Sequence, residues 1–321
     1  MILLCGIPSE TPVRLVAEAA AARGIPYLVF NQREARYGDC LLRLSDGQVD
    51  GWLELSGRRY ALSDFAGVYV RIMDPRDLPE ARRRGQHRLS AEQLKSTMLH
   101  EMLQQWLEIA PCLVMNRNAP SASNMSKPYQ AQTIARTGLR VPATLVTNEP
   151  SEALAFAARH GRVVYKSISS VRSIVRELES ASRRRLERIR NLPTQFQAFV
   201  PGTNVRVHVA GDQVFATQIR STAVDYRYAG RDGLDVEMEA LELPDEIAAR
   251  CLTLAQVLGL PLCGIDLKRT PDGDYYCFEV NPSPAFSYYQ EQTGQPIADA
   301  VATCLMDGRP AARAPCAIGV S

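Results

Sequence analysis

Apolar positions along the chain come in short runs whose period changes from one segment to the next. Ile2-Leu3-Leu4-Cys5 is continuous, as expected of a strand buried on both faces. Residues 12–23 are alanine-rich with helical spacing, and Gly24 ends them. Tyr27-Leu-Val-Phe30 predicts the next strand. Residues 41–44, 51–55 and 59–62 predict a meander with turns at Asp46-Gly47 and Ser56-Gly57, and Val68-Tyr-Val-Arg71 a further strand. Residues 75–88, with Arg82, Arg83 and Arg84, read as a surface loop. Ser90 followed by Gln93 forms a capping-box signature. It starts a long helix whose Leu94, Met98, Met102, Leu103, Trp106 and Leu107 are expected to be core, ending near Pro111.

Leu113-Val-Met115 predicts a short strand, and the small polar stretch 116–124 follows it. Ser126 is expected to cap a helix running to Thr137, with Pro128 in its first turn. A strand over 141–146, a helix over 149–159 and a strand at Val163-Val-Tyr-Lys166 come next. Residues 180–190 are strongly basic and read as an exposed helix. Residues 195–200 predict a strand, and 205–209 with 213–219 a hairpin across Gly211-Asp212. A helix over 247–258, strands over 263–268 and 274–281, and a helix near 297–306 complete the pattern.

Composition narrows the function classes. A chain of 321 residues accommodates about two or three domains. With 46% hydrophobic and 22% charged residues it is an ordinary globular chain, not a disordered one. No apolar run approaches roughly 18 residues, and the start lacks the basic lead-in of a signal peptide, so a cytoplasmic protein is expected. A net charge of +2 exerts no broad pull on nucleic acid or an anionic membrane, and neither is expected as a partner. The eight cysteines form no C-x-x-C pair and read as buried thiols in a reducing compartment, while the four histidines are scattered. No G-x-S-x-G is present. Gly6 stands alone where a dinucleotide site would need G-x-G-x-x-G, which argues against an oxidoreductase built on residues 1–75.

The last two strands carry the sharpest chemical signal. They flank Thr270-Pro-Asp-Gly-Asp274, and a two-residue Asp272-Gly273 loop would set Asp266 opposite Glu279 and Gly264 opposite Asn281. Alternation then puts Asp266, Glu279 and Asn281 on one face. Carboxylates directly opposed on a ladder repel, which costs stability unless something lies between them. Oxygen donors without His or Cys suit Mg²⁺ or Mn²⁺; the bland reading is a pair neutralised by Lys268 or an arginine. Only four of the 37 basic residues are lysines: Lys95, Lys127, Lys166 and Lys268. Lys166 closes an apolar strand before a small-residue loop, a place suited to phosphate oxygens.

The order of these motifs resembles that of the ATP-grasp carboxylate–amine ligases. The pieces are Asn116, Lys127-Pro-Tyr-Gln130, Val163-Val-Tyr-Lys166, Phe196-Gln-Ala-Phe-Val200, Asn204-Val-Arg206, Gly264-Ile-Asp266 and Phe278-Glu-Val-Asn281, spread over about residues 113–308. Within that superfamily the chain resembles the RimK-like glutamate ligases, and more closely the microviridin-type (graspetide) macrocyclases. The closer likeness rests on residues 145–150, Lys166-Ser-Ile-Ser-Ser170, Thr270-Pro-Asp-Gly273 and Gln292-Thr-Gly-Gln-Pro-Ile297.

The resemblance implies an α/β (α+β) ATP-grasp fold. Its parts are a pre-ATP-grasp-like α/β domain over 1–112, a central subdomain over 113–194, a C-terminal subdomain over 195–308 and a loose tail over 309–321. It implies ATP with two Mg²⁺ or Mn²⁺ ions, an amino-acid or peptide substrate that extends to a ribosomal precursor peptide, and a homo-oligomer. Lys127, Lys166 and Ser167 would bind phosphates. Gln197, Ala198, Phe199 and Val200 would form the hinge along adenine, read by the Ala198 C=O and the Val200 N–H. Asn204 stands where relatives often carry an acid that touches ribose. Arg206, Arg220 and Arg227 would face the phosphates and the acyl-phosphate, and Asp266, Glu279 and Asn281 would hold the metal. Relatives carry glycines after the strand lysine; this chain has Ser167, Ser169 and Ser170, like the peptide-modifying branch. The rival reading is a catalytically weak peptide-binding module using the clusters at 82–84 and 183–190, a role that has no use for the Asp266, Glu279 and Asn281 set.

Overall fold

The computed structural model describes residues 1–79, 89–168, 175–179, 186–221 and 236–308. The arginines at 82–84 and 183–185, Ser169, Ser170, Arg227 and the tail 309–321 lie outside the described residues.

The chain opens with β1 (Ile2–Gly6), α1 (Thr11–Ala22) and β2 (Tyr27–Asn31), then the meander β3 (Asp39–Ser45), β4 (Gln48–Leu55) and β5 (Arg58–Ala61). Both meander turns take the positive φ their residues permit: Asp46 +51° and Gly47 +76°, then Ser56 +52° and Gly57 +75°. Next come β6 (Gly67–Val70), α2 (Ala91–Ile109) and β7 (Leu113–Met115). The first sheet is parallel in the order β2-β1-β6-β7. Both its faces are buried, which is why its strands read as unbroken apolar runs. Leu3, Cys5 and Val68 pack with Leu103, Trp106 and Leu107 of α2, and Ile2, Leu4 and Tyr69 pack with the last helix through Val301 and Leu305.

The capping box at Ser90 and Gln93 starts α2 as the sequence predicts. Its buried stripe runs through Leu99, Leu103, Trp106 and Leu107, whereas Leu94 and Met98 are about half exposed. The expected core face was thus drawn one turn too early. The sheet covers only the C-terminal half of this helix.

After α3 (Asn118–Ser121) and α4 (Lys127–Arg136), the second sheet combines β8 (Thr144–Thr147), β9 (Val163–Ser167), β10 (Arg176–Glu177) and β11 (Thr194–Ala198) in the order β10-β9-β11-β8. α5 (Pro150–His160) covers it through Ala153 and Ala157. β8 begins later than the predicted residue 141 because Pro142 has no N–H for the ladder. β11 ends two residues short of the predicted Val200, ahead of Pro201.

The third sheet is β12 (Thr203–Ala210), β13 (Gln213–Ser221), β14 (Val236–Leu241), β15 (Leu262–Arg269) and β16 (Tyr275–Asn281), in the order β14-β13-β12-β15-β16. One face carries Val205, Val207, Ile265, Leu267 and Val280 onto α6 (Asp245–Leu258). α7 (Ser287–Thr293) and α8 (Ile297–Asp307) follow, and α8 packs back on the first sheet. The seven described cysteines are free, and burial raises the thiol pKa of Cys251 and Cys263 to about 12. No helix among the described residues is long and apolar enough to cross a membrane.

Candidate active site

The face of the third sheet that turns away from α6 is polar. Register sets Thr217, Arg206, Asp266 and Glu279 in one row across four strands. Phe215, His208, Gly264 and Asn281 form the row on one side, and Ile219, Asn204 and Lys268 the row on the other.

Asp266 does face Glu279, but not for the reason the sequence suggests. The turn is longer than two residues: Thr270 and Asp274 close it, with the Gly273 N–H bonded to the Thr270 C=O, and the outer strands pair Arg269 with Tyr275. Carried inward unchanged, that register would put Ile265 opposite Glu279. A β-bulge at Phe278, between Cys277 opposite Leu267 and Glu279 opposite Asp266, adds one residue and restores the facing pair.

Cations from three elements converge on the two carboxylates. Lys127, in the first turn of α4, donates to Glu279 Oε1 at 3.0 Å. Lys166, on β9, lies 3.9 Å from Glu279 Oε2. Arg206, directly across the ladder, donates to Asp266 Oδ1 at 2.6 Å. All three cations are largely buried, while Glu279 and Asp266 keep 26% and 30% of their side-chain surface open to the cleft. Of the neutralisers named on the bland reading, an arginine, Arg206, is a partner and Lys268 is not. Its Nζ lies 5.3 Å from the Phe199 ring, and burial, with Arg162 nearby, lowers its pKa.

The backbone under the pair is fixed by two buried amides. Gln130, one turn along α4 from Lys127, donates to the Val280 C=O at 2.7 Å and accepts from the Val280 N–H at 3.1 Å. It serves edge strand β16 as a partner strand would. Asn116 donates to the C=O groups of Leu262 and Pro282, each at 2.5 Å, and accepts from the Leu262 N–H at 3.2 Å, tying both ends of the hairpin together. Both residues lie in the motifs quoted above without an assigned role. Gly264 is required by its neighbour: a Cβ there would fall 2.0 Å from Arg206 Nη2 and 2.5 Å from its Cζ.

The other expected site residues divide. Asn204 shares the Arg206 face, one register row from the pair. Asn281 lies along the same face, its amide oxygen accepting from the Ser283 N–H at 2.9 Å. Ser167 ends β9 and is exposed. Gln197 lies within β11, and Ala198 closes it with its N–H bonded to the Ala143 C=O at 2.9 Å. Phe199 is stacked under Arg162, whose Cζ is 3.7 Å from the ring centroid. Val200 is buried, and among the described residues no backbone group accepts from its N–H. Arg220 is not brought to the pair. Arg206 stands opposite Thr217, so Arg220, three residues further along β13, falls on the other face, 3.3 Å from Glu239.

The donor set suits a hard divalent cation. Its donors are two carboxylates on one face and an amide oxygen beside them, with no thiolate or imidazole. Among the described residues no cluster of three acids, histidines or cysteines is present. An ion here therefore needs oxygens from a ligand, as Mg²⁺ commonly takes them from phosphates.

A family model described as the RimK-like ATP-grasp domain matches residues 124–305. The chain belongs to the RimK-like ATP-grasp family. It is thereby an ATP-grasp ligase with the fold that its motif order implied. Along 310 residues it is 24% identical to a probable alpha-L-glutamate ligase of Rhodopirellula baltica, covering 94% of this chain and 69% of that one. The solved ATP-grasp ligase PsnB, complexed with a phosphomimetic variant of its minimal precursor, Mg and ADP, superposes with a TM-score of 0.77 at 26% identity over 95% of this chain and 97% of that one. A Chryseobacterium gregarium RiPP-associated ATP-grasp ligase, with ADP and a leader and core peptide, shares the fold with a TM-score of 0.76 at 23% identity, covering 97% and 98% of the two chains.

Proposed function

We propose that this ATP-grasp ligase uses Mg-ATP to activate a peptide carboxylate as an acyl-phosphate and joins it to an amine, or to a hydroxyl in a macrocyclic product. The observation that carries the reading is the convergence of Lys127, Lys166 and Arg206 on the Asp266–Glu279 pair. Five groups from five elements meet there, more charge than a structural ion pair needs. PsnB, alike along nearly the whole chain, is complexed with its precursor, Mg and ADP, which supports a peptide substrate and this cofactor pair.

The substrate carboxylate oxygen attacks the γ-phosphorus and ADP leaves. The acceptor nitrogen or oxygen then attacks the acyl carbon, loses its proton, and phosphate leaves. Lys127 and Lys166 hold phosphate oxygens, and Arg206 faces the charge that develops on the transferring group. Asp266, Glu279 and Asn281 would hold two Mg²⁺ ions, which would supply charge neutralisation at the phosphates. The Ala198 C=O and Val200 N–H read the adenine edge. Residues 1–112 would shape the acceptor side or hold the peptide. The test is ADP release with acidic synthetic peptides, with the products weighed for the loss of one water per link. Absence of ADP release with every carboxylate substrate offered, or Mg-ATP failing to bind, overturns the reading.

Two quantitative expectations follow from the ion pairs. Lys166→Ala should weaken Mg-ATP binding about tenfold or more with the fold intact, since one charge-assisted contact is worth about 1.5–3 kcal/mol. Unchanged affinity by calorimetry would remove Lys166 from the phosphate site. Mn²⁺ offered alone must displace the lysines from Glu279, whereas phosphates arriving with it draw them off. Its affinity, read by water-proton relaxation, should therefore rise about tenfold or more when ADP is added, more than 1 kcal/mol of coupling. Equal affinity with and without ADP counts against this exchange.

A further inference from the structure

His208 is fully buried in the row beside Asp266, and the chemistry above does not use it. Its Nε2 accepts from Arg206 Nε at 3.5 Å, and its ring meets Tyr289 edge-on, with centroids 4.8 Å apart. Nδ1 has no hydrogen-bond partner. A histidine kept for packing alone would be a poor choice at such a position, because an apolar residue fills it without burying an unpaired polar atom. The Arg206 guanidinium has further neighbours on three sides. Gly264 forms its floor, Tyr289 lies 5.7 Å from its Cζ, and Asp266 takes Nη1.

We propose that His208 is a positioning residue: by accepting from Nε it fixes the plane of the Arg206 guanidinium, so that the terminal nitrogens are directed at Asp266 and at the phosphate side of the site. This rests on the reading of Arg206 as a phosphate-facing residue. An arginine has five N–H donors and several rotamers, and a fixed acceptor on Nε removes the freedom to turn the fork away. The acceptor must be the neutral imidazole with its proton on Nδ1. Burial and the adjacent Arg206 favour that form by holding the pKa well below the usual histidine value.

The test uses two variants of the whole chain, each titrated with Mg-ATP by calorimetry and melted without ligand. His208→Leu fills the space without an acceptor. It should bind Mg-ATP about tenfold more weakly while melting no lower than wild type. His208→Gln can present an amide oxygen where Nε2 stood. It should recover most of the affinity although its buried amide makes it melt lower. A purely structural role would make binding follow the melting order, so the opposite orders are the signature. If wild type binds Mg-ATP and the leucine variant binds it equally well, or glutamine rescues no better than leucine, the assignment to His208 is overturned and the nucleotide reading stands. If wild type itself fails to bind Mg-ATP, the nucleotide reading falls, and this assignment with it.

Discussion

Glu279→Gln should reduce metal-dependent ADP formation by about 10² or more, because the charge stabilisation a bound cation supplies is worth several kcal/mol. The carboxylate lost is one of the two that face each other across β15 and β16. Taken from the strands alone, the same change should relieve a like-charge repulsion and leave the metal-free protein no less stable. The structure reverses that second expectation. Glu279 already has Lys127 at 3.0 Å and Lys166 at 3.9 Å, and Asp266 has Arg206 at 2.6 Å. Each charge of the opposed pair is matched, and the glutamine leaves two largely buried ammonium groups without it. The metal-free variant should melt lower, by about 1 kcal/mol, at the upper end for a partly exposed ion pair. An assay of ADP release beside thermal melts with and without Mg-ATP reads both effects. A variant that turns over normally removes the metal role from this hairpin whatever its melting point.

Asn116→Ala should be the most destabilising single change near the site, by about 2–4 kcal/mol. The side chain is 8% exposed and satisfies the Leu262 C=O, the Pro282 C=O and the Leu262 N–H. Truncation leaves three backbone groups to find water in a closed place. Those groups flank the residues proposed for the metal, so Mg-ATP affinity should fall along with the denaturation midpoint. Urea unfolding with an unchanged slope and a lower midpoint is the expected record. A midpoint within error of wild type would mean that other groups tie the hairpin ends together.

Much of the fold was legible because it is written locally. The Asp46-Gly47 and Ser56-Gly57 turns, the Ser90–Gln93 box and the unbroken apolar strands each depend on residues within a few positions of one another. The facing of Asp266 and Glu279 was legible too, by two errors that cancel: a turn read too short and an unseen bulge at Phe278. A bulge has no reliable local signature, since the extra residue is ordinary and only the partner strand reveals it. The misplacement of Arg220 was avoidable from sequence. The Gly211-Asp212 turn sets Arg206 opposite Thr217, and strand alternation then puts Arg220 on the other face.

What the sequence by itself determined is most of the elements, though not β14 or α7, their order, and the oxygen-rich hairpin that any reading of the chain must explain. Only the tertiary structure decided the electrostatics of the site. Lys127 is 152 residues from Glu279 along the chain, and Arg206 is 60 from Asp266. The floor at Gly264, the acceptor at His208 and the buried amides of Gln130 and Asn116 are likewise contacts between distant segments. Periodicity, caps and turns report the conformation of a segment. The charge balance of a site depends on which segments meet, and that is set by how sheets and helices pack to bury their apolar faces.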